Sequence, residues 1–175
     1  MFTMLDLERA KSIGKPKGIL DSILFTVQKS EFAYSLNMCD SHYRGTYAER
    51  LVGNRLIDCG FMVNFCGENL DYDLLIDETV RAEVKLATIQ PSYGSKTKYI
   101  FHKIKPECFD VLFLVFLNPY GMVVKWTDSE MVDSWSVDYK RGDRGYTVTF
   151  DGNMDSSKLM YDDFGSFVKA YRREK

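Results

Sequence analysis

The chain has 175 residues, 45% of them hydrophobic and 27% charged, with a formal net charge of −2. This is the length and composition of one domain with a real core, which excludes a disordered chain and gives no global support to nucleic-acid binding. The longest strongly apolar run, 111–117, is too short to cross a membrane, and the opening residues MFTMLDLE lack the basic-then-apolar layout of a secretory signal.

Residues 4–13 and 18–29 read as two short helices separated by Gly14-Lys15-Pro16-Lys17-Gly18. Residues 35–46, rich in Ser, Asn and Asp, read as a polar connection carrying Cys39. A third helix spans 46–58 and closes at Gly60, a suitable residue for a left-handed cap. A strand at 61–65 precedes DYDLLIDETVRAEVKLAT, residues 71–88, which reads as strands 71–76 and 80–87 around a tight turn. Residues 89–105, with Pro91, Gly94 and four lysines, read as a connection too polar for the core. The continuous apolar run 109–117 suits a strand buried on both faces, and 122–126 reads as its antiparallel partner. A short helix at 127–134, a strand at 146–150 and a helix at 156–172 complete the chain. Cys39, Cys59, Cys66 and Cys108 form no CxxC or Cys/His cluster, which points away from zinc or iron–sulfur and towards reduced thiols in a cytoplasmic setting.

The hairpin carries the chemistry. Side chains alternate along a strand, so Glu83 and Lys85 share one face while Val84 and Leu86 take the other. With a turn at 77–79, Ile76 pairs with Val80 and Asp73 falls opposite Glu83. Directly paired residues hold their Cβ atoms about 4.5–5.5 Å apart, near enough for two carboxylates to share a hard cation. A two-residue turn would send the two acids to opposite faces. Asp71, on the same face as Asp73, is the second choice for its role.

The order helix, strand, strand with Asp73, strand with Glu83-x-Lys85, then a further strand resembles the PD-(D/E)xK nuclease superfamily over residues 45–117. Nine residues separate the two acids, and Tyr72 stands where the motif's name has proline. The resemblance implies an α/β fold with a restriction-endonuclease-like core, a mixed central sheet flanked by helices. It divides the chain into an N-terminal helical extension (1–43), a catalytic core (44–126) and a C-terminal strand and helix (127–175). It further implies magnesium, with manganese as a substitute, held by Asp73 and Glu83, and Lys85 stabilising the negative charge of the reaction. Members often add a glutamate on the preceding helix. Here that is Glu49, which shares a helical face with Val52, Gly53 and Leu56. Gln90 would contact phosphate or water.

The implied activity is hydrolysis of phosphodiester bonds in double-stranded DNA by a restriction-type or mobile-element endonuclease, acting as a homodimer because two strands call for two sites. Junction or repair nuclease and a non-catalytic nucleic-acid-binding module are the alternatives, followed by an unrelated interaction domain. Lys96, Lys98, Lys103 and Lys105, in a stretch without acids, are candidate phosphate contacts. The plainer reading of each feature is a ladder of surface charges for Glu83 and Lys85, a solvated helix for Glu49 and a solvated loop for the lysines. His42 and His102 read as structural, Tyr47, Tyr93 and Tyr99 as core more than base-stacking groups, and both tryptophans as packing. A second acid-x-Lys match, Asp138-Tyr139-Lys140, has no convincing partner strand in the sequence.

Overall fold

Asp40 opens the helix α1 (Ser41–Asp58) by accepting the Tyr43 backbone N–H at 2.8 Å. The helix therefore starts five residues before its expected boundary and absorbs part of the supposed polar connection. It ends as predicted. Gly60, at φ 87°, donates to Ile57, and Phe61 donates back to Leu56, the paired bonds of a Schellman cap. The computed structural model describes residues 35–67, 70–93, 96–118, 121–133, 135, 139–140, 145–152 and 161–172. The expected helices at 4–13 and 18–29, and most of the 1–43 extension, lie outside the described residues.

The central sheet is mixed, as expected for this α/β fold. Among the described residues its order is β1 (Val63–Phe65), β2 (Leu74–Ile76), β3 (Val80–Thr88), β6 (Val111–Asn118), β7 (Gly121–Asp128) and β10 (Tyr161–Asp162). Only β3 and β6 run parallel, in register from Ala82 opposite Val111 to Thr88 opposite Leu117. Residues 111–117 are all buried, as their unbroken hydrophobicity requires of a strand covered on both faces. Asp110 locks the start of this pair. Its carboxylate accepts the Arg81 backbone N–H at 2.8 Å and the Arg81 guanidinium at 2.7 and 3.1 Å.

A parallel pair needs a long crossover, usually a helix. Here the crossover is β4 (Gln90–Pro91), β5 (Thr97–Ile104) and a 3₁₀ turn at Pro106–Cys108. This corrects the expectation of a solvated connection over 89–105. Tyr99, Phe101 and Ile104 are buried, and β5 is an inner strand of a second sheet ordered β4, β5, β9 (Tyr146–Asp151), β8 (Tyr139–Lys140). The lysines obscured an alternating strand whose apolar face turns inward. Two smaller corrections follow. Tyr139–Lys140 has a partner strand, β9. Residues 161–162 pair with β7, so the last helix, α3 (Asp163–Arg172), starts later than expected.

The two layers divide by strand parity. On one face Ala82, Val84, Val111, Phe113 and Val115 pack beneath α1 and α3. Phe167 anchors α3 there with ring contacts to Phe61, Phe113 and Trp126 at 5.5, 5.2 and 5.3 Å. On the other face Ala87, Leu112, Leu114 and Phe116 meet the second sheet and Val132 of the short helix α2 (Ser129–Asp133). Phe116 stands at the centre of that layer, edge-on to Tyr99, Phe101 and Phe150 at 5.1, 5.1 and 5.4 Å. Trp126 and Trp135 are buried, in keeping with packing roles. Truncating Phe116 to Ala leaves a cavity between the sheets, and urea unfolding is expected to show a loss of about 3–5 kcal/mol.

Candidate active site

The hairpin register is set by a three-residue turn pinned from outside. Asp77 donates its backbone N–H to the Met62 carbonyl at 2.8 Å and accepts the Met62 N–H on Oδ1 at 2.9 Å. Asp77 and Glu78 adopt left-handed φ values of 48° and 62°, and Thr79 closes the turn by donating to Ile76. Pairing then runs Ile76–Val80, Leu75–Arg81 and Leu74–Ala82, the expected register.

The ladder stops at Leu74. Asp73 is therefore not a strand residue directly paired with Glu83, as the alternation suggested. Its N–H donates to Ala82 at 3.0 Å while its carbonyl accepts from Cys66 at 2.9 Å, so the backbone peels away from β3 at this point. The side chain takes over from the missing strand. Asp73 Oδ2 accepts the Val84 N–H at 2.7 Å, which anchors the carboxylate at the edge of β3. Glu83 and Lys85 lie beside it on the face towards the second sheet and are joined by an ion pair between Lys85 Nζ and Glu83 Oε1. Glu83 is almost wholly buried, which separates it from a surface ladder of charges.

Glu49 reaches the same region from the helix. Val52, Gly53 and Leu56 on its face are buried, and Gly53 lets α1 approach β1 closely, since a Cβ there would stand 2.5 Å from the Phe65 ring. Arg50 lies over that ring at 4.3 Å. Half-buried Glu49 is left within electrostatic reach of Asp73 and Lys85.

Burial and mutual repulsion govern these acids. Desolvation pushes the Glu83 carboxyl up to about 7, with the charges of Asp73 and Glu49 adding to the rise and Lys85 opposing it. Desolvation also raises Asp73, against the Val84 N–H, the Lys85 charge and a hydrogen bond with Glu83. Glu49 is raised by desolvation first and by Asp73 second. Three carboxyls that all resist ionisation around one ammonium make a site short of positive charge.

Among the described residues, no three His, Cys, Asp or Glu side chains are gathered closely enough to enclose a metal ion by themselves. Magnesium does not need such a cage. It is held through one or two carboxylates, with waters and substrate phosphate completing its shell. The hard-oxygen pair Asp73 and Glu83, with Glu49 nearby, fits that chemistry, and Lys85 already occupies Glu83 as a cation.

The other expected residues fall outside the cluster. Asp71 is exposed and faces Lys105 at 3.4 Å. Gln90 lies on β4, five residues beyond Lys85, or roughly 16 Å of extended chain. Lys98 sits opposite Gln90 and Asp151, with exposed Lys96 before it, so both are on the far side of β5 from the cluster. Lys103 is exposed near the other end of β5. Tyr47 and Tyr99 are buried, out of reach of a base, whereas Tyr93 is fully exposed. His42 is exposed, and His102 contacts Thr147 at 3.1 Å. The Val84 N–H that seats Asp73 has no sequence signal, because every residue but proline carries one.

No protein-family profile matches the chain, and no curated protein matches it. Among solved structures, a bacterial homing endonuclease, I-Ssp6803I, is similar at a TM-score of 0.47 and 14% identity, over 77% of this chain and 92% of that one. Among the described residues, no helix is long and apolar enough to cross a membrane.

The raised carboxyls make a pH prediction. Glu83 binds its proton more tightly in the folded chain than in the unfolded one, so stability falls as pH rises from the ordinary 4.5 to about 7. Thermal melts in chelator should show this decline, and Glu83→Gln should flatten it. An equal slope in the two proteins would count against a strained Glu83.

Proposed function

We propose that this protein is a magnesium-dependent endonuclease that hydrolyses phosphodiester bonds in double-stranded DNA, of the restriction or mobile-element type. The observation that carries the reading is the convergence of buried Glu83, Val84-anchored Asp73 and Lys85, with Glu49 approaching from α1. Buried acids and a lysine that serve only stability are unusual, because their desolvation is costly. Asp73 and Glu83 would hold the divalent ion, with manganese able to substitute, and Glu49 would take part through water. A bound ion neutralises the phosphate and lowers the pKa of an attacking water.

The rest of the chemistry falls to Lys85. Its ammonium, already paired with Glu83, would serve as a hydrogen-bond donor. Lys85 would donate to a phosphate oxygen where negative charge builds. Among the described residues each chain carries one such cluster, so cutting both strands would call for two copies, most simply a homodimer. None of the four cysteines is in a disulfide; a cytoplasmic setting, read from their scatter in the sequence, belongs to the same proposal.

Plasmid nicking and linearisation with and without magnesium test the reading. Cleavage should require the metal. Asp73→Ala, Glu83→Gln and Lys85→Ala should each lose at least about 10²-fold in rate, and Glu49→Gln about 10- to 100-fold. Full activity in both Asp73→Ala and Lys85→Ala would remove this site from the reaction. Salt-sensitive DNA binding without cleavage of any substrate would favour a non-catalytic binding module.

A further inference from the structure

The strand β5 contains an irregularity near its C-terminal end. Its pairing with β9 runs regularly from Lys98 opposite Asp151 to Phe101 opposite Val148, then slips before Ile104 opposite Tyr146. Inside the slip Lys103 takes a left-handed φ of 60°. A lysine gains nothing from that backbone region, which favours glycine. The consequence is visible in burial. Phe101 and Ile104 both face the core, and two consecutive side chains between them, His102 and Lys103, are exposed. A regular strand would have sent one of the two inward.

The facing segment is shaped to accept this bulge. Gly145, itself at φ 77°, lies so close to β5 that a Cβ there would stand 2.5 Å from the Ile104 carbonyl oxygen and 2.9 Å from Lys105 Cγ. The bulge is thus specified on both sides. It also sits at the end of β5 next to the acid cluster. Lys105, two residues on, contacts Asp71 at 3.4 Å, and Cys108 lies within electrostatic reach of Asp71, Lys105 and Glu83 together. Bulges next to active sites commonly re-aim a side chain.

We propose that the β5 bulge presents Lys103 and Lys105 as backbone-phosphate contacts that seat duplex DNA beside the Asp73–Glu83–Lys85 cluster. This rests on the nuclease reading and adds to it which lysines do the seating. Lys103 and Lys105 lie at the end of β5 that approaches Asp71, while Lys96 and Lys98 lie at the opposite end of the strand. The exposed Asp71 carboxylate, 71% accessible, holds Lys105 until phosphate displaces it.

The test is duplex-oligonucleotide binding over a salt series in buffer without divalent cation, with thermal melts of each variant. Lys103→Gly suits the left-handed backbone, so its melting temperature should match or exceed wild type. Removal of one phosphate contact should lower the slope of log affinity against log salt by about 0.9 and weaken binding about eightfold at 0.1 M salt. Lys105→Gln should behave likewise, and Asp71→Asn should tighten binding by freeing Lys105. Wild-type slopes in both lysine variants of a protein that cleaves DNA would overturn this assignment and leave the nuclease reading standing. Failure of the wild type to bind or cleave duplex DNA would remove both.

Discussion

Two hydrogen bonds between Asp77 and Met62 set the hairpin register on which the site depends. They tie the 77–79 turn to the start of β1 and so hold Ile76 opposite Val80. A slip of one residue would exchange the faces of β3. Glu83 and Lys85 would then enter the layer under α1, among Leu51, Val52 and Leu56, and Val84 would face the second sheet. Burying an ion pair in that apolar layer costs several kcal/mol, so the core itself selects the observed register. Packing and chemistry are coupled through one turn.

The cluster is held open by rigid elements and stressed by its own charges. Asp73 sits at the point where β2 leaves β3 and replaces a strand bond with a carboxylate bond to Val84. Gly53 draws α1 onto β1, which brings Glu49 within reach of Asp73. The sheet below is fixed by the Asp110–Arg81 clamp and by β6, buried on both faces. Acids buried on such a frame lose their hydration, and their carboxyls rise in pKa chiefly for that reason.

Legibility followed the strength of local patterns. The 109–117 run, the alternation around Glu83 and Lys85, and the Gly60 cap each report on physics within a few residues, and each corresponds to an observed element. Asp40 shows the limit: a cap can sit several residues before the first periodic apolar position, so α1 started earlier than expected. The strand β5 was hidden because lysines occupy positions that a second sheet leaves exposed. Tyr99 and Phe101 carried the alternation, yet a layer that would bury them cannot be foreseen from nearby residues. The direct pairing of Asp73 with Glu83 assumed that β2 continues, and only the chain's path shows where it peels away.

The sequence by itself determined the mix of helices and strands and the shared face of Glu83 and Lys85, because alternation is local, and it left the length of the hairpin turn open. The tertiary structure decided what lies against that face: a second sheet that joins two crossover strands to β8 and β9, an aspartate seated on the Val84 N–H, and Asp71 drawn off to Lys105. Those outcomes come from contacts between segments distant along the chain, whose energies exist only once both partners are in place.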